Sequence, residues 1–213
     1  MWRATVPVKG TQLRLIGGRR LRSPQGMGTR PTTSRVREAL MSILSTEIRG
    51  CQWLDLCSGS GVMGCEALQR GASQVVAVEK DPQTAFICRE NLELISTNEA
   101  SSATVKVIRK DLLSWLSQGS PDSNQRFSIV YFDPPYNSGL YRPALEMLQR
   151  GGWVHPGGKV ICEFSSRENL AVPSGWKEAD RRHYGNSSLL ILNPQEHCHG
   201  DTDSTPRQTG REG

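Results

Sequence analysis

Apolar residues first recur at a helical period shortly after Pro31. Val36, Leu40 and Leu44 are spaced four residues apart, and polar residues stand between them. Residues three or four apart lie on one face of a helix. The pattern therefore predicts an amphipathic helix that follows Pro31 and ends near Gly50.

Beyond Gly50, short apolar runs typical of buried strands alternate with segments of helical period. The predicted strands cover 53–57, 75–79, 105–108, 127–132 and 159–164, and the predicted helices cover 62–69, 84–95 and 140–148. Strands that alternate with helices form a parallel sheet with helices on both faces. Two further strands, 177–184 and 188–192, are joined through turn residues, so the sheet is predicted to end with an antiparallel edge.

Both ends of the chain lack these periods. Residues 1–30 are rich in Gly, Arg and Pro and predict a basic arm that holds at most one hairpin. Residues 31–193 contain the predicted catalytic domain, because a chain of 213 residues buries one core of ordinary size. Residues 194–213 have the polar composition of a disordered tail.

Positive charge is concentrated near the N-terminus. The chain has a net charge of +5, whereas residues 1–50 contain ten Lys or Arg and two acids. A dense basic segment attracts a polyanion such as RNA through phosphate contacts, although many basic termini are only solvated surface. Charge alone leaves both interpretations open.

Several classes of protein are disfavoured by what the sequence lacks. No segment approaches the run of about 18 apolar residues that a membrane span requires, and no secretion signal precedes the first helix. The six cysteines lack the paired C-x-x-C spacing of zinc and redox sites. These features predict a cytoplasmic protein with reduced cysteines, no metal and no membrane contact.

The first chemical motif is a glycine-rich turn between the first strand and the next helix, Asp55-Leu56-Cys57-Ser58-Gly59-Ser60-Gly61-Val62-Met63-Gly64. Glycines at such a turn allow a ligand to approach the backbone. Glu79, at the end of the next strand, stands where an acid accepts hydrogen bonds from ribose hydroxyls. The combination predicts a nucleoside-containing cofactor, and an NAD-dependent oxidoreductase is one interpretation.

Asp55 favours a different cofactor. A carboxylate immediately before the turn repels a pyrophosphate, but it favours the sulfonium and ammonium groups of S-adenosylmethionine. Asp111, after the third strand, either accepts a hydrogen bond from the adenine amino group or caps the following helix. The predicted contacts to S-adenosylmethionine are Asp55, Gly59, Ser60, Gly61, Glu79 and Asp111.

The second motif, Asp133-Pro134-Pro135-Tyr136, directly follows the predicted strand 127–132, at the ligand edge of a parallel sheet. The lone pair of an amino group on an aromatic base is delocalised into the ring, so its methylation requires acceptors for the amino hydrogens. The Asp133 carboxylate and the Pro134 carbonyl supply two acceptors, and the prolines restrict the backbone. With Tyr136 stacked on the base, the motif predicts in-line methyl transfer without a covalent enzyme intermediate.

Two other classes of protein stay open at this point. An NAD-dependent oxidoreductase accounts for the glycine-rich turn and Glu79, but it leaves the 133–136 motif without a role. A non-catalytic RNA-binding protein accounts for the basic arm, but it requires neither Asp55 nor the double proline. The 133–136 motif itself is shared with enzymes that methylate adenine, cytosine and glutamine amides, so another amino acceptor is also an alternative.

At these residues the sequence resembles the RsmD-type family of 16S ribosomal RNA guanine-N2 methyltransferases. The shared segments are 16–18 with the following arginines and Leu21, 30–33, 35–40, 55–61, 66–68, 70–72, 79–81, 91–92, 133–136 and 184–185. Departures from the family pattern are Ser34 in place of Asp, Met41-Ser42 in place of Phe-Asn, and Cys57-Ser58 in place of Phe-Ala.

The resemblance implies a Rossmann-like class I methyltransferase fold, a seven-stranded and mostly parallel sheet with an antiparallel last strand. It implies methyl transfer from S-adenosylmethionine to N2 of a guanine in 16S ribosomal RNA, free or within the small ribosomal subunit, and a monomer is expected. Arg30, Thr32 and Arg35 are predicted to fold over the site and contact the cofactor carboxylate or an RNA phosphate. Arg19 and Arg20 are predicted to contact RNA phosphates.

Overall fold

The computed structural model describes residues 13–24, 33–97, 103–120 and 126–195. It contains the strands and helices that the sequence predicts, but the prediction that the first helix ends near Gly50 is wrong, because residues 44–50 form turns after Ile43. The helices are α1 Ser34–Ile43, α2 Val62–Gln69, α3 Pro82–Ser96, α4 Leu112–Leu116 and α5 Tyr141–Arg150. The strands are β1 Gln52–Leu56, β2 Gln74–Glu79, β3 Thr104–Arg109, β4 Phe127–Phe132, β5 Val154–Ser165, β6 Trp176–Tyr184 and β7 Ser187–Pro194. Nearly all of the predicted tail lies outside the described residues.

The seven strands form one sheet in the order β3-β2-β1-β4-β5-β7-β6. The first five strands pair in parallel, and β7 runs antiparallel to both β5 and β6. The predicted Rossmann-like sheet with an antiparallel last strand is therefore confirmed. From β1 the chain proceeds outward through β2 to β3 and then returns to β4 on the other side, so the strand order reverses between β1 and β4. Ligands of open α/β sheets bind at such a reversal.

Helices cover both faces of the sheet, and each face has its own apolar core. Trp53 and Tyr131 pack with α1, α2 and α3 on one face, whereas Leu54 and Phe132 pack with α4 and α5 on the other. Successive side chains of a strand point to opposite faces. The face of any strand residue therefore follows from its neighbours. No helix in the described part of the chain has the length and apolarity to cross a membrane.

Residues 13–24 fold back on themselves beside α1, α2 and α3. Arg14 and Arg20 form an isolated antiparallel bridge. Leu15 and Leu21, on either side of the turn, are 3% and 5% exposed and belong to the same core as α1, α2 and α3. We call this segment the basic loop, because its arginines are carried on an ordered turn anchored by buried leucines.

A buried carboxylate joins the basic loop to two helices. Glu66 on α2 is completely buried. Its Oε1 accepts hydrogen bonds from Arg37 Nη1 at 2.8 Å and from the Ile16 backbone N–H at 2.9 Å. Its Oε2 accepts from Arg70 Nη1 at 2.8 Å. Charges removed from water require such partners, and loss of one partner leaves the other uncompensated.

The substitution Glu66→Gln tests this network. We expect it to lower the free energy of unfolding by about 3–5 kcal/mol, because the buried Arg37 guanidinium loses its counter-charge. The matched control is Glu146→Gln, since Glu146 pairs with Arg142 on the exposed side of α5 and a surface pair contributes about 1 kcal/mol or less. Urea denaturation measures both losses, and equal losses would contradict this account.

Candidate active site

Three acidic residues from the sequence motifs meet at the carboxyl edge of the sheet. Asp55 is the penultimate residue of β1, Glu79 ends β2, and Asp133 directly follows β4. Cys57 lies between them. Burial and then the charges of Glu79, Asp133 and Asp55 raise the pKa of the Cys57 thiol to about 12. The edge is therefore strongly acidic at the point where the strand order reverses.

The glycine-rich turn is hydrogen-bonded to the end of β2. The Gly59 backbone N–H donates to Glu79 Oε2 at 3.0 Å, and the Asp81 N–H donates to Glu79 Oε1 at 2.9 Å. Glu79 is thereby fixed between two loops and is 9% exposed. Gly59 has a φ of 54°, and a Cβ built at this position would meet no atom within 4 Å. A ligand therefore has room to approach the backbone at Gly59.

The other two glycines of the motif pack against protein. A Cβ on Gly61, whose φ is 75°, would lie 2.7 Å from Cys88 Sγ of α3. A Cβ on Gly64 would lie 2.8 Å from Val75 Cγ1 of β2. These two glycines allow α2 to pack closely on its neighbours, which is the role of the last glycine in nucleotide-binding turns.

Asp55 lies behind the turn and is 1% exposed. Its Oδ2 accepts a hydrogen bond from the Gly64 backbone N–H at 3.2 Å. Burial raises the pKa of Asp55 well above its usual range, the bond from Gly64 opposes this shift, and the charge of Glu79 adds to it. A cation bound at the turn would stabilise the ionised carboxylate, whereas a phosphate would add another negative charge. The site is suited to a cationic ligand.

Asp111 caps α4, which is one of the two roles considered for it. Its carboxylate accepts from the Ser114 backbone N–H at 3.0 Å. This bond lowers the pKa of Asp111, and the nearby charge of Lys80 lowers it further. The side chain is exposed. A contact with the adenine amino group stays a prediction.

The 133–136 motif leads from the end of β4 to the protein surface. Asp133 is half-buried and Pro134 is buried, whereas Tyr136 is 49% exposed, unusual for a large aromatic side chain in the described chain. The segment then turns through Asn137, which has a φ of 58°. Two potential hydrogen-bond acceptors thus lie at the sheet edge, and an aromatic ring lies outside them.

The structure describes only some of the residues that are predicted to contact RNA. Arg30 and Thr32 lie outside the described residues. Arg35 is exposed in the first turn of α1. In the basic loop, Arg20 is exposed and Arg19 is half-buried. Their roles stay predictions.

Asn91 is a residue of the site whose role was not predicted from the sequence. It lies on α3 and is 1% exposed. Its Oδ1 accepts from the Arg22 N–H at 2.9 Å, and its Nδ2 donates to the carbonyls of Arg22 and Ser60, both at 2.9 Å. One amide thus joins the glycine-rich turn to the basic loop. The available signal was a polar residue beside Leu92 on the apolar side of a predicted helix.

The chain is similar to known proteins over the region that contains both motifs. A family model described as conserved hypothetical protein 95 matches residues 13–193. This range spans most of the chain and includes both motifs of the site. The chain belongs to this family, the RsmD family. The resemblance predicted from the sequence is confirmed.

Relatives of this RsmD-family chain are methyltransferases. Ribosomal RNA small subunit methyltransferase D of Escherichia coli (strain K12) is 31% identical over 198 residues, which cover 91% of this chain and 94% of that protein. The solved structure of an Escherichia coli protein described as a methyltransferase, yhhF, has a TM-score of 0.72 at 29% identity and covers 86% of this chain and 98% of its own.

A more distant structure shows the fold alone. The RNA methyltransferase of Salinibacter ruber, solved in complex with S-adenosyl-L-homocysteine, has a TM-score of 0.55 at 18% identity, covering 78% of this RsmD-family chain and 95% of its own. Family membership favours methyl transfer over the oxidoreductase and over a non-catalytic RNA-binding protein.

Asn91→Asp tests the connection between the turn and the basic loop. The variant keeps its size but loses both amide donors, so we expect binding of S-adenosylhomocysteine to weaken about tenfold. Asn193→Asp is the control, because the Asn193 amide donates to the Gly158 carbonyl at 3.1 Å, outside the motifs of the site. Calorimetry should show normal affinity in the control, and equal affinity in the two variants would argue against a role for Asn91.

Proposed function

We propose that this RsmD-family protein transfers a methyl group from S-adenosylmethionine to the exocyclic N2 amino group of a guanine in 16S ribosomal RNA. The observation that carries the proposal is the Asp133-Pro134-Pro135-Tyr136 turn at the sheet edge where Asp55 and Glu79 also lie. The names of the relatives support ribosomal RNA of the small subunit as the substrate. The choice of guanine N2 rests on the family resemblance.

The residues at the edge of the sheet fit S-adenosylmethionine. Open space beside Gly59 admits the ligand, and Glu79 accepts hydrogen bonds where ribose hydroxyls would lie. Asp55 makes the turn favourable to positive charge, with Ser60 and Gly61 completing it and Asp111 available to the adenine. When bound, S-adenosylmethionine supplies an electrophilic methyl group on a sulfonium. The fold accommodates the demethylated cofactor in the Salinibacter ruber enzyme.

Catalysis then consists of orienting the amino group. The Asp133 carboxylate and the Pro134 carbonyl accept its two hydrogens, so that the nitrogen lone pair is turned out of conjugation with the ring. Tyr136 stacks on the base and limits its rotation. With the amino group held in this way, its nitrogen would be directed at the methyl group of the bound cofactor, opposite the sulfur. The Asp133 carboxylate is also placed to accept the proton that the methylated nitrogen releases.

Residues of the N-terminal part of the chain hold the RNA in this proposal. Arg19 and Arg20 contact phosphates from the basic loop, and Arg30, Thr32 and Arg35 contact either a phosphate or the cofactor carboxylate. Phosphate contacts give affinity without sequence preference and release counterions. The partner is 16S ribosomal RNA, free or in the assembling small subunit, which accords with a cytoplasmic protein.

Methyl transfer is tested with labelled S-adenosylmethionine and small ribosomal subunits that lack the modification. We expect label in N2-methylguanosine, and Asp133→Ala should lower the rate by about 100-fold or more because an acceptor aligned with the amino group is lost. Asp180→Ala is the control, since Asp180 pairs with Arg182 on the edge strand β6. Label in another nucleoside would show that the methyl acceptor is a different amino group and not guanine N2.

The basic loop is tested by the salt dependence of RNA binding. Replacing Arg19 and Arg20 together with Ala should reduce the slope of log affinity against log salt by about 1.5, because each lost phosphate contact removes about 0.7–0.9. Arg142→Ala on the exposed side of α5 removes one charge at another surface and should leave the slope unchanged. An unaltered slope in the double variant would show that the loop carries only solvated charge.

A further inference from the structure

A further buried carboxylate, Glu163, lies near the carboxyl end of β5 and has no part in the mechanism above. β4 and β5 pair in parallel, with Phe132 opposite Cys162 as the last pair. Asp133 and Glu163 are the residues that directly follow this pair in the two chain segments. Neighbouring strands are about 4.8 Å apart. The backbones that carry the two acids are therefore adjacent at the carboxyl edge.

The Glu163 side chain points to the side of the sheet that carries α1, α2 and α3. Tyr131 and Ile161, which precede the two acids by two residues, pack in the core beneath α1, α2 and α3. Because side chains alternate along a strand, Glu163 faces that side as well. After burial, the charges of Asp133 and Glu163 both raise the pKa of Tyr141. Both acids are therefore close enough to the Tyr141 hydroxyl to act on it electrostatically.

Glu163 is held rigidly. It is 4% exposed, and its Oε2 accepts a hydrogen bond from the Tyr131 hydroxyl at 2.5 Å. The Tyr141 hydroxyl donates to its backbone carbonyl. The backbone and the carboxylate of Glu163 are thus each fixed by a phenol. A carboxylate accepts up to about four hydrogen bonds, so the bond from Tyr131 orients the group and leaves it an acceptor.

The chemistry of guanine matches two adjacent acceptors of this kind. Guanine presents the N1–H donor directly beside the donors of its N2 amino group, whereas adenine presents an unprotonated N1. A carboxylate accepts from N1–H and repels a lone pair at the same position. The 133–136 motif recognises only an amino group, so the choice of base requires another residue.

We propose that Glu163 accepts a hydrogen bond from N1–H of the target guanine while Asp133 and Pro134 hold its amino group. This inference rests on the proposed function, because it assigns the base specificity of the same site. Glu163 is then a specificity-determining residue. The competing account is that the hydrogen bond between Tyr131 and Glu163 only stabilises the pairing of β4 with β5.

The test uses RNA that carries guanine or 2-aminopurine at the nucleotide found to be methylated. 2-Aminopurine keeps the amino group but lacks N1–H and O6. For the wild-type protein we expect kcat/KM to fall by at least about 100-fold from guanine to 2-aminopurine, since buried acceptors reject an analogue without the donor. In Glu163→Gln the rate on guanine should fall, and the ratio between the two bases should shrink at least about tenfold.

Because 2-aminopurine also lacks O6, the decisive comparison is between the two proteins rather than between the two bases. Tyr131→Phe is the matched control, since it removes the buried hydrogen bond and keeps the carboxylate. It should keep most of the wild-type ratio. A ratio in Glu163→Gln equal to that of the wild type would overturn the inference.

Two further readouts separate the possible failures. If Glu163→Gln does not fold, Glu163→Asp withdraws the carboxylate by one methylene and should also reduce the ratio, whereas an unchanged ratio overturns the inference. Absence of methyl transfer to guanine N2 by the wild-type protein would overturn the proposed function together with this inference. Transfer to guanine N2 with unchanged discrimination would overturn only the role of Glu163.

Discussion

Asp55, Glu79 and Glu163 are held almost completely out of water at the carboxyl edge of the sheet. Burial of an acid is costly unless hydrogen bonds or positive charge compensate it. Here the backbone N–H groups of the glycine-rich turn and a phenol supply the hydrogen bonds. The shape of the turn and the position of α2 depend on these bonds, and the acidic edge is suited to a cationic cofactor and to the amino group of a base.

The same elements connect this edge to the surface that is proposed to hold RNA. Asn91 joins the glycine-rich turn to the backbone of the basic loop, and Glu66 joins that loop to α1 and α2. Both side chains are buried, so neither contact is weakened by solvent. The position of the basic loop, which carries the arginines, is therefore set by Glu66 of α2 and Asn91 of α3.

Much of the fold was predictable from the sequence because strand and helix periods are local properties. The predicted strands 53–57, 75–79 and 127–132 match β1, β2 and β4 to within one residue at either end. The positions of Asp55, Glu79 and Asp133 at the carboxyl edge of the sheet were predictable, because each of them stands at a predicted strand end. Glu66 and Asn91 lie in segments shared with the family, but the sequence did not give their roles or that of Glu163, because each of them acquires its partners from segments distant in the chain.

The sequence by itself determined the order of elements, the family and the chemical groups at the strand ends, since these depend on spacing between near neighbours. Tertiary structure alone decided that, within the glycine-rich turn, Gly59 faces open space. It also decided that Gly61 packs against Cys88 and Gly64 against Val75. It decided as well that Asp111 caps α4 and that β4 and β5 pair up to Phe132 and Cys162, directly before Asp133 and Glu163. The reason is physical: burial and contact between distant segments arise only when strands pair and helices pack.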